Sequence, residues 1–301
     1  MSSQAFPEQP DGSTFTVASV VIPAAPASAG LHITATPIGN LEDISLRALK
    51  TLAGVDMILC EDTRVTRRLL DRYRIRTPLK PYHDHNAERV RPGIVERLKQ
   101  GTPIALVSDA GTPLISDPGY KLLREVLKAG ISVHGLPGPS APIMALAQSG
   151  LPSDRFLFGG FLPQKKGARC TILREFKALN ATLIFFESAR RVNGALADIL
   201  ETLGNREVVI ARELTKLHEE FIRGPAEDLV QSSGDLKGEL TLLIGPPRAS
   251  GEPDMASVDD ALNDALSRLP AGRAASEVAK LTGMSRKLLY DRALELKNGS
   301  P

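Results

Sequence analysis

From Leu31 to Ser149 short apolar runs alternate with amphipathic stretches, and that rhythm leaves the chain few architectures to choose from. Leu31 to Thr36, Val55 to Cys60, Ile104 to Val107 and Ile131 to Gly135 read as strands, with a weaker extended piece from Thr77 to Tyr82. Between them Ile44, Ala48 and Leu52 fall on one helical face, and further helices are expected over Thr63 to Leu70, Ala87 to Lys99, Tyr120 to Ala129 and Ala141 to Ser149. Strands that alternate with helices call for right-handed crossovers and a mostly parallel sheet.

The most informative stretch is IALVSDAGTPLISDPG, from Ile104 to Gly119. Its apolar head is a run that a parallel sheet buries on both faces, so Ser108 and Asp109 emerge at the carboxyl end of a strand, where open α/β sheets bind ligands. Gly111 and Gly119 permit positive φ or close backbone approach, Pro113 and Pro118 stiffen the loop, and Asp109 offers an acceptor to a hydroxyl or ammonium group. Asp117 is expected to cap the following helix. The turns PIGN (37–40) and LPGPS (136–140) follow strands at the same end of the sheet, so one small ligand could touch all three loops. There is no GxGxxG after the first strand and no GxxxxGK[ST] in the chain, which argues against the usual dinucleotide fold and against a P-loop NTPase.

A second α/β unit follows Leu151-Pro152-Ser153-Asp154, with strands near Phe156 to Gly160, Ala181 to Phe186, Val208 to Ala211, Glu219 to Arg223 and Glu239 to Ile244. Helices near Ala168 to Leu179 and Arg191 to Leu203 lie between them. Beyond a Pro- and Gly-rich hinge, three helical patterns over Val258 to Leu269, Arg273 to Leu281 and Ser285 to Leu296 are broken at Thr282-Gly283-Met284-Ser285, the mark of a helix-turn-helix. The expected division is a disordered tail over 1–30, an N-terminal α/β domain over 31–148, a C-terminal α/β domain over 149–246, a linker over 247–256 and a helix-turn-helix module over 257–297. Within the tail, Thr16 to Ala29 has the small apolar look of a secretory segment, but no Lys or Arg precedes it and Pro23 and Pro26 interrupt it. No run reaches the roughly 18 apolar residues of a membrane-spanning helix. Cys60 and Cys170 form neither a disulfide framework nor a metal-ligand spacing, which fits a reducing cytoplasm.

A net charge of +2 makes no case for a nucleic-acid partner, so any case rests on clusters. Arg64, Arg67, Arg68, Arg72, Arg74 and Arg76 crowd against one acid, Asp71; Lys165, Lys166, Arg169, Arg174 and Lys177 form a second group. In the tail Arg273, Lys280, Arg286, Lys287, Arg292 and Lys297 outnumber Glu277, Asp291 and Glu295. Such groups neutralise phosphates, or simply solvate a helix face.

PIGNLEDIS (37–45), CEDTR (60–64), YHDHN (82–86), VSDAGTPLISDPG (107–119), LPGPSA (136–141), GFLP (160–163), FFES (185–188) with Arg190, and ARELTK (211–216) together resemble the bacterial 16S rRNA cytidine 2′-O-methyltransferases of the tetrapyrrole-methylase superfamily. The trailing helix-turn-helix resembles an extra module of some members. The resemblance implies a class III S-adenosylmethionine (SAM) methyltransferase: two α/β domains, a donor cleft between them, a homodimer, no metal and no membrane. It implies methylation of the ribose 2′-oxygen of a cytidine in the decoding region of 16S rRNA, within the 30S subunit. Carried over by position, Ile38, Asp109, Ala110, Gly111, Thr112, Ser140 and Ala141 line the donor pocket, and Phe186 and Leu214 close it. A ribose hydroxyl is a very weak acid, so a base or an oxyanion stabiliser is sought among Glu61, Asp62, Glu213 and Lys216, with the His83-Asp84-His85 group and Glu187 also in view. Asp62 reads equally well as a helix cap. RNA contacts are expected from Arg64, Arg67, Arg68, Arg72, His83, His85, Lys165, Lys166 and Arg190. The rival readings are a tetrapyrrole or protein methyltransferase with the same cleft, and a helix-turn-helix DNA-binding regulator whose α/β body senses a ligand.

Overall fold

A computed structural model describes residues 13–116, 118–232, 236–247, 255–282 and 284–298. Strands β3 (Gly30–Thr34), β4 (Met57–Cys60), β5 (Leu79–Pro81), β6 (Pro103–Leu106) and β7 (Val133–Leu136) form one parallel sheet in the order β5-β4-β6-β3-β7. All four residues of β4 are buried, because α1 (Leu46–Gly54) and α2 (Thr63–Arg72) cover one face, and α3 (Ala87–Lys99) and α4 (Tyr120–Lys128) cover the other. Side chains of a strand alternate, so Ile58 packs with Leu49, Leu52 and Leu70 while its neighbour Leu59 packs with Ile94, Leu98 and Val126. Ser45 caps α1 by accepting from Ala48 N–H at 3.1 Å.

The expected disordered tail is corrected over its described part. Strands β1 (Thr14–Val17) and β2 (Val20–Pro23) form an antiparallel hairpin turned by Ala18 and Ser19, both at positive φ. Phe15 is fully buried against the α1 and α2 layer, and Thr16 N–H donates to Tyr73 O at 2.8 Å. One large side chain inserted into a ready core, plus paired backbone, offsets the entropy of ordering a short segment. Residues 1–12 lie outside the described residues, as does Asp117 with its expected cap.

Helix α5 (Ala141–Ser149) leaves the first sheet and lies on the second. That sheet has the order β11-β10-β12-β9-β8, from β8 (Phe156–Phe161), β9 (Thr182–Ser188), β10 (Glu207–Arg212), β11 (Glu220–Pro225) and β12 (Glu239–Ile244). Only β8 and β9 are parallel; the remaining neighbours are antiparallel. One face packs on α6 (Lys166–Glu175), α7 (Val192–Leu203) and α8 (Ala226–Ser232), the last of which no sequence pattern announced. The other face meets α5 through Ala145, Leu146, Ile184, Val209 and Leu243. Full burial of a Leu or Ile side chain contributes about 1.5–3 kcal/mol, so this shared cluster binds the two lobes as a core would. Arg223 fastens the end of α5, donating to Ser149 O at 3.1 Å and Gln148 O at 2.7 Å.

The C-terminal helices α9 (Met255–Arg268), α10 (Ala271–Thr282) and α11 (Arg286–Asn298) enclose their own small core around Leu262, Val278 and Leu289. Helix α9 starts inside the span expected as a linker, of which 248–254 lie outside the described residues. Arg292, counted in sequence among the basic residues of the tail, instead pairs with Asp259 at 2.6 Å and Glu295 at 2.7 Å, tying α11 to α9.

A histidine pair sits at the edge of the first sheet. His32 of β3 stacks on its register partner His134 of β7 at 4.6 Å between ring centres, and its Nε2 meets Ser28 O at 2.8 Å. Burial pushes the His32 pKa below its ordinary value; the Ser28 carbonyl opposes this, and His134 adds to it. The unfolded chain therefore takes up this proton first as pH falls. The stability tied to His32 is whole above the ordinary histidine range and is lost as pH falls through it toward the lower folded pKa. Chemical denaturation at pH 8 and pH 5 should show a smaller acid loss for His32→Asn than for the wild type; equal losses would refute the assignment.

Candidate active site

Three turns at the carboxyl end of the parallel sheet are stitched together. Thr36 and Gly111 exchange backbone hydrogen bonds at 2.9 and 3.1 Å, Thr36 Oγ1 donates to Ser108 O at 3.0 Å, and Thr112 Oγ1 donates to Pro139 O at 3.2 Å. The PIGN, SDAGTP and LPGPS segments thus form one rigid rim. Gly111 and Gly119 do take positive φ.

The second lobe closes on that rim at one glycine. A Cβ on Gly39 would stand 2.6 Å from Lys216 Cγ and 2.7 Å from both Leu214 O and Thr215 Oγ1, so only glycine lets PIGN meet the ARELTK loop this closely. Asn40 N–H then donates to Thr215 Oγ1 at 3.0 Å.

Between the lobes lies a cleft of about 420 Å³, within the range of small-ligand sites. Ile38, Asp109, Ala110, Gly111 and Thr112 line it from one side, with Ser140 and Ala141 at the start of α5. Phe186 and Leu214 face them from the other lobe, so all nine residues expected to hold a donor border this one space. Ala211, Thr241 and Phe161 also border it and were not singled out as pocket residues. Thr241 arrives only because β12 runs opposite β9 in a register that sets it beside Phe186. No local pattern carries that information, whereas GFLP and ARELTK were visible as motifs.

The polar groups of the cleft are partly uncommitted. Asp109 Oδ1 accepts from Asp62 N–H at 3.0 Å, and the other oxygen makes no hydrogen bond among the described residues. Ser140 occupies the N-cap position of α5, yet its hydroxyl makes no capping bond. That leaves a hydroxyl and a positively polarised helix start facing the cleft. A carboxylate acceptor, a free hydroxyl, amide donors and an apolar wall suit a zwitterionic amino acid joined to a nucleoside, which is the chemistry of SAM.

The four candidates for proton handling have different fates. Asp62 is the N-cap of α2, accepting from Arg64 N–H at 2.8 Å, and the Arg64 guanidinium lowers its pKa to about 2. Glu213 and Lys216 form an ion pair at 3.0 Å and do not line the cleft. The Glu239 N–H, and then Lys216, hold the Glu213 pKa below its ordinary value. Burial works against the Lys216 charge, but Glu239 and Glu213 outweigh it and raise the pKa. In the structure Asp62 is thus engaged as a helix cap, and Glu213 and Lys216 with each other and with Glu239. Glu61 is exposed and in no ion pair among the described residues. Partial burial, then Asp109 and Asp84, raises its pKa; like Glu213 and Lys216 it does not line the cleft, but its neighbour Asp62 is tied by its backbone N–H to Asp109, which does.

The expected RNA contacts divide likewise. Arg67, Arg68, Lys165 and Arg190 are exposed and in no ion pair among the described residues. Arg64 pairs with Asp62 at 2.6 Å, Arg72 with Glu42 at 3.3 Å and Lys166 with Glu201 at 2.9 Å. Arg169, grouped with the second basic cluster by sequence, is corrected to a buried partner of Asp198. His83 and His85 touch edge to face at 5.9 Å. Among the described residues no group of three or more His, Cys, Asp or Glu is placed to hold a metal ion.

Comparison with known proteins agrees with this geometry. The family described as tetrapyrrole (corrin/porphyrin) methylases matches residues 30–230, and the RsmI C-terminal HTH domain matches 252–297. The chain is 50% identical over 288 residues to a ribosomal RNA small subunit methyltransferase I of Mesorhizobium japonicum, covering 94% of this chain and 98% of that one. It is 46% identical to the protein of the same name from Vibrio cholerae, covering 88% and 94% of the two. Among solved structures, uroporphyrin-III C-methyl transferase from Thermus thermophilus complexed with S-adenosylhomocysteine superposes with a TM-score of 0.52 at 17% identity, over 72% of this chain and 97% of that one. At that identity the likeness is one of fold.

Proposed function

The chain belongs to the tetrapyrrole (corrin/porphyrin) methylase family, among its ribosomal RNA small subunit methyltransferases I, and from that premise we propose that it methylates the ribose 2′-oxygen of a cytidine in the decoding region of 16S rRNA. The observation that carries the reading is the stitched rim of three turns facing a second lobe across a cleft in which the Ser140 hydroxyl makes no capping bond and one Asp109 oxygen is left free. SAM, when bound there, supplies an electrophilic methyl group on a sulfonium.

The residues of this chain do the aligning. The start of α5 and the Ser140 hydroxyl receive a carboxylate, and the free oxygen of Asp109 accepts from a hydroxyl or an ammonium. Ile38, Phe186 and Leu214 form the apolar wall that excludes water, so that an in-line displacement is won mainly through orientation. Glu61 takes up the proton of the ribose hydroxyl. Its raised pKa makes it a better acceptor than Asp62 or Glu213, whose carboxylates are held low by their partners. Arg67 and Arg68 offer exposed guanidinium groups to phosphates. The substrate is the assembled 30S subunit, the working form is a homodimer, and the site of action is the cytoplasm.

Purified chain, labelled SAM and 30S subunits from cells lacking the modification are expected to give label in 16S rRNA, at a ribose resistant to alkaline cleavage. Label found only in an added porphyrinogen or in ribosomal protein would sink the reading.

A further inference from the structure

The GFLP and FFES motifs surround a second, wider cavity of about 1020 Å³ that opens beside the donor cleft. The two spaces share Phe161, Glu187, Ser188 and Gly238, so whatever occupies one borders whatever occupies the other.

Phe161 stands on this boundary with 64% of its surface exposed. Its exposure has a backbone cause. Register between the edge strand β8 and β9 shifts between Phe158 and Phe161, and Gly160 takes φ +69° within that bulge. The ring is thereby turned outward while its inner side stays 5.3 Å from Phe186, which in turn contacts Phe158 at 5.0 Å. An aromatic face backed by two others is a firm platform.

The wall behind it is pinned from within. The fully buried Glu187 carboxylate accepts from Ser188 N–H at 2.7 Å and from Arg191 Nη2 at 2.9 Å, and Arg191 also donates to Leu162 O. Arg169 donates to Pro163 O and Gln164 O, both at 3.2 Å, while Asp198 holds its guanidinium. Two arginines thus fix the carbonyls of the loop that directly follows the ring, the kind of support that a precise binding site requires. At the cavity mouth Arg190 and Lys237 are exposed and in no ion pair among the described residues.

We infer that this second cavity is the acceptor-nucleoside subsite, with the base of the target nucleotide stacked on Phe161 and the flanking phosphates met by Arg190 and Lys237. The inference rests on the functional reading above and adds where the substrate sits. An aromatic face accepts any base, so Phe161 contributes affinity and position, while the two cations follow the backbone. The shared boundary brings the ribose of a stacked nucleotide to the mouth of the donor cleft.

The test is steady-state methylation of 30S subunits by the full chain, with SAM affinity measured separately by calorimetry. Phe161→Ala is expected to lower kcat/KM for 30S by about 5- to 140-fold, the usual range for losing one stacked base. Phe161→Tyr should stay within about twofold; because Phe161 also borders the donor cleft, Phe161→Ala can weaken SAM binding, but by less than its loss of kcat/KM for 30S. Arg190→Ala with Lys237→Ala should raise KM and reduce the salt slope of RNA binding by about two. Normal kcat/KM for Phe161→Ala, or a loss matched by an equal loss of SAM affinity, overturns the subsite. If wild-type protein itself leaves small-subunit rRNA unlabelled, the functional reading has failed and the subsite falls with it; labelling by wild type and all variants alike removes the subsite alone.

Discussion

Asp198→Ala should destabilise the second lobe by about 3–5 kcal/mol, because it strands the Arg169 guanidinium without its counter-charge. The two side chains are only 9% and 4% exposed, and Arg169 Nε donates to Asp198 Oδ2 at 2.6 Å, so little water can take over. The effect should be much larger than for the exposed Arg72–Glu42 pair, where loss of one partner is worth about 0–1 kcal/mol. Urea unfolding followed by circular dichroism measures it. Arg169→Met placed on top of Asp198→Ala should restore part of the loss, since an apolar side chain of similar length has no charge to strand. A loss under about 1 kcal/mol for Asp198→Ala would show that the pair is solvated. Because Arg169 also holds Pro163 O and Gln164 O, the variant should further loosen the loop that follows Phe161.

Glu61→Gln should lower kcat by about 10²- to 10⁴-fold, the usual contribution of a positioned proton acceptor, while SAM affinity stays within about twofold. The amide keeps the shape of the side chain and removes only its basicity. In the wild type the acid limb of the kcat profile should lie above the ordinary glutamate range, since burial, Asp109 and Asp84 all raise that pKa. Activity then falls as pH drops through the raised value, where the carboxylate becomes protonated. Single-turnover measurements from pH 5 to 9 read both features. Unchanged kcat in Glu61→Gln would eliminate Glu61 and leave alignment alone to account for the rate.

The hydrogen-bond states of charged groups separate the legible from the illegible. Asp62 before Thr63 reads as a helix cap from its position alone, and so it is, because a cap is made within three residues of itself. Arg169 reads as one more cation in a basic run; its burial depends on Asp198, a full helix away, and nothing near it in the chain says so. Lys216 is so only in part: Glu213 lies three residues before it, whereas Glu239 comes from the start of β12. The hairpin at the amino end was misread for a related reason. Thr14–Val17 and Val20–Pro23 are too short to announce strands, and Phe15 has a place only once α1 and α2 have built its pocket.

Local chemistry carried the rest: the period of apolar residues set the strands and helices, and the glycine and proline turns marked the rim that a ligand would meet, since both depend on neighbours a few positions away. The tertiary structure alone decided the antiparallel register that carries Thr241 to the cleft, the bulge that turns Phe161 outward and the approach of Leu214 to Gly39. Those contacts join residues far apart in the chain, and their geometry follows from how whole sheets and helices pack.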